Sequence, residues 1–337
     1  VRAILVGLGA VGARSARQLL SSNSISELVV FSHRAAGGEP KVAALGGAGV
    51  VRPEVLSDVS FSEALSGASV VVLAAPELRF WHAEESVRAG VPVVSVSDDP
   101  GDVRQLLDLA GEATKQGVAV AVGAGMVPGL SCLLTAWAAS SLDELSEVHV
   151  ASLGTGGRAC ARRHHAALRE PVEEWRDGAW ERKVASSGRE LVWFPEQAGA
   201  DCYRINRPDT LLIARAFPGL RFATTRAAAS RRDRFTSWLP MLRPPHPEGT
   251  VGAVRVEVRG LRGGAAETVV VGAVGRPALL AGAVAAAMAV RAASGQLRSG
   301  AGGLASVVEA PGEVLADLSE RGVRLVAFEG ATMTPAW

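Results

Sequence analysis

Cysteine is scarce in this chain of 337 residues: Cys132, Cys160 and Cys202 stand far apart, with no Cys-x-x-Cys pair and no histidine at ligand spacing. A disulfide framework and a structural zinc site are excluded, no metal is expected, and a reducing, cytoplasmic setting fits. Excess charge is missing too. The 35 basic residues against 34 acidic ones leave a net +1, too little for a nucleic-acid surface. Lysine is confined to Lys41, Lys115 and Lys183, and tyrosine to Tyr203. Unbroken membrane-length helices are also absent. Residues 117–142 carry no charge, but Gly123, Gly125, Pro128 and Gly129 interrupt them, and the Ala-rich run from Ala278 to Val290 is too short to span. No secretory leader is expected, and neither a membrane nor a nucleic acid is expected as a partner.

What is present begins at the first residues. Arg2-Ala3-Ile4-Leu5-Val6 reads as a strand buried on both faces, and Ala13, Ala16, Leu19 and Leu20 recur at helical spacing further on. Between them lies Gly7-Leu8-Gly9-Ala10-Val11-Gly12, so strand, glycine turn and helix follow in the order a dinucleotide site requires. Gly7 serves the tight turn, Gly9 lets the amides of Ala10 and Val11 approach a diphosphate, and Gly12 lets helix and strand pack closely. A second strand, Glu27 to Phe31, ends at Ser32-His33-Arg34. An acidic residue that would hold both ribose hydroxyls of NAD is absent there. A hydroxyl, an imidazole and a guanidinium suit a 2′-phosphate instead, which points to NADP(H).

Further strands are expected at 49–51, 69–75, 91–96 and 118–122, with helices over 81–89, 103–116 and 132–140. This alternation predicts an α/β fold with a Rossmann-type doubly wound parallel sheet over residues 1–130. Ligands of such sheets lie beyond the carboxyl ends of the strands, so Ala74-Ala75-Pro76 is expected near the nicotinamide half. Asp98 and Asp99 end another strand; one is expected to cap the next helix, and Asp98 is kept as a catalytic candidate. Gly125, Met126 and Pro128 shape a turn before a helix whose N-terminus is expected to face the ligand. From residue 147 the pattern becomes β-rich. Arg259-Gly260-Leu261-Arg262-Gly263-Gly264 and Trp175-Arg176-Asp177-Gly178-Ala179-Trp180 read as hairpins. A mainly antiparallel α+β second domain is therefore expected as an insertion over 131–277. Residues 278–294 read as a helix, 295–303 as a flexible break, 313–321 as a helix and 323–328 as a strand.

Three stretches together carry a resemblance: Gly7-Leu8-Gly9-Ala10-Val11-Gly12, Ala89-Gly90-Val91-Pro92-Val93-Val94-Ser95-Val96-Ser97-Asp98-Asp99 and Gly123-Ala124-Gly125-Met126-Val127-Pro128-Gly129-Leu130-Ser131. The chain resembles the saccharopine dehydrogenase-like oxidoreductases and, more distantly, carboxynorspermidine and diaminopimelate dehydrogenases. The likeness is close from Val1 to about Ser140 and holds in outline beyond. It implies hydride transfer between NADPH and a carbon bound to nitrogen, in an imine or secondary amine derived from an amino acid. It also implies a Pro-Gly turn over the cofactor, a segment 278–337 folded back on the Rossmann domain, and a homodimer. Relatives often carry Asp where this chain has Val127.

A catalytic acid or base is not spelled out. Beside Asp98, the candidates are His165, within Arg162-Arg163-His164-His165 after Gly154-Thr155-Gly156-Gly157, and Tyr203, with a solvated helix end and a core ring as the respective alternatives. Adjacent His164 and His165 point apart on a helix and do not chelate one metal. His82 reads as a packing or capping residue. Arg231, Arg232 and Arg234 are either a carboxylate site or solvated. Trp175, Trp180, Trp193 and Trp238 are either an apolar substrate surface or sheet packing. Two rivals stand beside imine reduction: an enoyl or keto reductase of the same family, and an NADP-binding protein without catalysis.

Overall fold

The computed structural model describes residues 1–22, 24–32, 42–46, 50–75, 80–196, 199–241, 245–247, 249–329 and 332–334. Its first sheet is built from β1 (Arg2–Val6), β2 (Glu27–Ser32), β3 (Val51–Val55), β4 (Val70–Leu73), β5 (Val93–Ser95) and β6 (Ala119–Val122). Every pairing in this sheet is parallel, in the order β3-β2-β1-β4-β5-β6, as in doubly wound dinucleotide folds. The central strands are continuous apolar runs because helices cover both faces; β4 and β6 are buried at every residue. β3 is the outer strand, mostly exposed, and accommodates Pro53 there because an edge position needs no ladder donor.

The second sheet contains β7 (Glu144–Leu153), β8 (Val172–Arg176), β9 (Ala179–Lys183), β10 (Glu190–Trp193), β11 (Gly199–Arg204), β12 (Phe222–Ala228), β13 (Gly252–Arg262) and β14 (Ala265–Gly275). Only β7 and β12 pair in parallel; the rest of the sheet is antiparallel. Both expected hairpins form. Asp177 (φ 45°) with Gly178 (φ 85°), and Gly263 (φ 58°) with Gly264 (φ 80°), supply the paired positive angles of tight two-residue turns.

The uncharged stretch around residue 130 is explained by burial rather than by a membrane. Helix Leu130–Ala139 follows β6 and packs beneath β13 and β14, with Leu130 to Thr135 all buried. Among the described residues no helix is long and apolar enough to cross a membrane.

The last third of the chain divides between the two sheets. Helix Pro277–Ala293 lies on helix Ala10–Ser21 and on β4 and β5. Gly282 permits that approach, since a Cβ there would stand 2.5 Å from the Arg14 Cβ. The break expected over 295–303 is corrected at its end: β15 (Gly300–Gly303) is a strand paired in parallel with β6. It is glycine-built because neighbours crowd it, with Leu212 Cβ 2.9 Å from where a Gly303 Cβ would be. The strand expected over 323–328 forms as β16 (Arg324–Glu329), and it joins β14, with β17 (Thr332–Thr334) outside it. That end of the 278–337 segment thus belongs to the second sheet and not to the first.

Candidate active site

The turn after β1 is shaped by contacts that only glycine allows. Gly7 takes φ 97°, and a Cβ on it would meet Ala75 at 2.8 Å. At Gly12 a Cβ would lie 2.0 Å from the Gly7 carbonyl oxygen, so strand and helix touch through this residue. Gly9 differs: a Cβ there would meet nothing within 4 Å and would project into open space. Gly9 also caps helix Ala10–Ser21 without any side-chain bond, and the first turn holds no acid. The leading amides and the positive end of the helix dipole are therefore left for an anion.

That open space belongs to a cleft of about 1120 Å³ between the two sheets. Gly7, Gly9, Ala10 and Val11 form one wall, and Ala74 and Ala75 beyond β4 and Ser97, Asp98 and Asp99 beyond β5 form the floor. Arg158, Cys160, Arg162 and Arg163 of helix Arg158–Ala167 stand opposite. The volume, the glycine cradle and the small floor residues fit a dinucleotide, and the cleft lies at the strand ends where such sheets bind ligands.

The sequence-derived candidates divide sharply. Gly7, Gly9, Ala10, Val11, Ala74, Ala75 and Asp98 line the cleft, and Gly12 supports it from behind. Ser32 ends β2 outside the described lining, whereas His33, Arg34 and Pro76 lie outside the described residues. Gly125, Met126 and Pro128 are buried and are not among the residues that line this cleft. Their turn closes on itself, with Gly125 N donating to Pro128 O (3.0 Å), Leu130 N to Gly125 O (2.9 Å) and Ser131 N to Met126 O (3.1 Å). These bonds engage the amides of Gly125, Leu130 and Ser131 within the turn.

His165 and Tyr203 are likewise not among the residues that line the cleft. The His165 ring meets the Leu239 carbonyl (2.9 Å), and Tyr203 is a core ring with the Arg234 guanidinium stacked 3.9 Å from its centre. His82 packs edge-on against Phe61 and Trp81. Asp99 is the expected cap, accepting from Gly101 N (2.9 Å) and Asp102 N (3.2 Å). Arg163 is not free for an anion, because it reaches Asp99 (3.3 Å) and Glu170 (2.8 Å) and donates to Asn206 O (3.1 Å). None of the four tryptophans lines the cleft.

Three groups near the floor were not singled out from the sequence. Cys160 lines the cleft, and burial, reinforced by the Asp98 carboxylate, pushes its thiol up to about 12. Asp209 is wholly buried, accepts the Ser131 hydroxyl at 2.5 Å, and is pushed up to about 6 by desolvation. Arg207 donates to the Val127 carbonyl (2.9 Å), and its charge bears on Cys160, His164 and Asp209. Desolvation, then Arg207, pushes His164 down to about 3, so that ring is neutral. The one available signal was the Pro208-Asp209 helix start, which reads locally as an ordinary cap.

No protein-family model and no curated protein matches the sequence. Solved structures do match. Saccharopine dehydrogenase (L-Glu forming) from Saccharomyces cerevisiae is similar over 97% of this chain and 100% of its own, at TM-score 0.69 and 14% identity. The DAP dehydrogenase of C. glutamicum, in complex with DAP, is similar over 95% and 98% at TM-score 0.50 and 18% identity. An engineered D-amino acid dehydrogenase is similar over 92% and 95% at TM-score 0.50 and 16% identity. At these identities the likeness is one of fold, and it extends through both sheets.

Proposed function

We propose that the chain is an NADP-dependent oxidoreductase resembling saccharopine dehydrogenase, transferring hydride between NADPH and the carbon–nitrogen bond of an imine or secondary amine derived from an amino acid. The observation that carries this reading is the glycine cradle opening through Gly9 into the cleft between the sheets. Support comes also from the structural neighbours, all three named for dehydrogenases of amino-acid compounds. Arginines and aspartates line the cleft and indoles do not, which favours a charged ligand over the lipid-like one an enoyl reductase would take.

When bound, the nicotinamide supplies the hydride. The protein's own part is placement. Cradle amides hold the diphosphate, and Ala74 and Ala75 leave room at the floor for the ring and for a substrate carbon against it. An iminium carbon already carries positive charge, so alignment matters more than a strong acid. Asp98 is the one of the three catalytic candidates that lines the cleft, and in this reading it holds a proton at the substrate nitrogen, with the neutral Cys160 thiol as a hydrogen-bond donor. The reading includes a cytoplasmic homodimer, which sedimentation would check.

The test is a fluorescence titration of the purified protein with NADPH and NADH, repeated with Arg34→Ala. NADPH is expected to bind more tightly, and the substitution to weaken NADPH alone. NADH binding at least as tight, with NADPH unaffected by the substitution, would overturn the 2′-phosphate assignment.

A further inference from the structure

We infer that Arg158 and Arg162 reach across from the second sheet's side of the cleft and clamp the diphosphate of the dinucleotide; the inference rests on the dinucleotide reading above. Several guanidinium groups around the second sheet are committed to carboxylates: Arg104 to Glu173, Arg204 to Glu174, Arg226 to Glu190, and Arg163, on the same helix as Arg158 and Arg162, to Asp99 and Glu170. Among the described residues Arg158 and Arg162 have no carboxylate or hydrogen-bond partner, yet both line the cleft from exposed positions. With Arg17 of helix Ala10–Ser21, which lines the same cleft and likewise has no such partner, they are a standing excess of positive charge.

Their placement selects the diphosphate over other anions. Gly157, directly before Arg158, takes φ 106°, and a Cβ on it would stand 2.8 Å from the Cβ of Ala10, the first residue of the helix behind the cradle. Arg158 therefore begins where the cradle amides end. Arg163, one residue past Arg162, is tied to Asp99 beyond β5, so the first half of the helix is held along the cleft. Charge is segregated accordingly: the cations start at the cradle, and Asp98, Asp99 and Asp102 sit at the β5 end. Arg158 and Arg162 are one helical turn apart, with Cβ atoms about 5–6 Å from each other, a span two neighbouring phosphates can bridge. Backbone amides offer only partial charges to a group with two full negative charges, and guanidinium forks supply the remainder through charge-assisted hydrogen bonds. Cofactor binding would then tie the two halves of the molecule together, which a cradle confined to the first sheet does not do.

The experiment measures dissociation constants for NADPH, NADH and ADP-ribose, the last by competition, with wild type, Arg158→Ala, Arg162→Ala, Arg158→Lys and, as a control, Arg169→Ala, an exposed arginine that does not line the cleft. All three ligands share the diphosphate, so each alanine variant of the pair is expected to weaken all of them by a common factor of about ten. Arg158→Lys should recover part of the loss, and Arg169→Ala should bind as wild type does. Unchanged binding in both alanine variants overturns the clamp while leaving the cradle intact. A loss confined to NADPH also overturns it, by assigning the arginines to the 2′-phosphate. A wild-type protein that binds none of the three removes the dinucleotide reading itself, and the clamp with it.

Discussion

Gly9 and Gly12 lie three residues apart in one turn, and alanine at the two positions should fail in different ways. At Gly12 the new Cβ would lie 2.0 Å from the Gly7 carbonyl oxygen and 3.3 Å from the Ala74 Cβ, and the nearer atom is backbone that cannot swing aside. Overpacking of this kind costs about 1–3 kcal/mol, and the upper end applies here. Alanine's better helix propensity offsets about 0.5–1 kcal/mol, leaving a net loss near 2 kcal/mol. At about 2–4 °C per kcal/mol, the melting temperature of Gly12→Ala should fall by roughly 4–8 °C. Gly9 has ordinary angles (φ −78°, ψ −167°) and nothing within 4 Å of a Cβ, so Gly9→Ala gives up only a favourable cap residue, under about 1 kcal/mol. Its methyl, however, fills space a diphosphate would need, and dinucleotide affinity should drop at least about tenfold, or 1.4 kcal/mol. Thermal melts paired with NADPH titration separate the two effects. The reasoning is refuted if Gly9→Ala binds NADPH as wild type does, or if it melts as early as Gly12→Ala.

Three further outcomes follow from the buried charges. Asp209 is pushed up from 3.8 to about 6, so the folded state holds its proton more tightly, and stability should fall as pH rises from about 4 to 6 and stay level above. Asp209→Asn should remove that slope in urea melts and be more stable at pH 7.5 by up to about 3 kcal/mol; an unchanged slope would exclude Asp209 as its source. Arg204→Ala should cost about 3 kcal/mol by leaving the fully buried Glu174 with the Thr224 hydroxyl as its hydrogen-bond partner and the Arg226 charge nearby, and restored stability in Arg204→Ala with Glu174→Gln would confirm the cause. Cys160, pushed up to about 12, should react slowly with iodoacetamide at pH 8 although it lines the cleft; rapid alkylation would mean that a thiolate forms there.

Much of the site was legible because its signals are local. A glycine spacing between a β-period and a helical period, Asp-Gly and Gly-Gly at hairpin turns, and Asp-Pro at a helix start each report a backbone angle or a capping bond within a few residues. Those elements form where the sequence puts them, and Gly7, Gly9 and Asp98 meet in one cleft as a result.

What the sequence determined by itself was therefore the run of parallel strands, the cradle and the turns. Tertiary structure alone decided how each polar group is used. The amides of Gly125, Leu130 and Ser131 are bonded within their own turn, which no local spacing announces; Arg163 looks free until Asp99, from a distant stretch, and Glu170 reach it. Gly300 to Gly303 carry no apolar period, and only the crowding by Leu212 and Ser306 shows why a strand there must be glycine. Periodicity reports which face of an element is buried, but the neighbour that buries it comes from a distant stretch, and that neighbour fixes whether a charge is spent, shifted or left for a ligand.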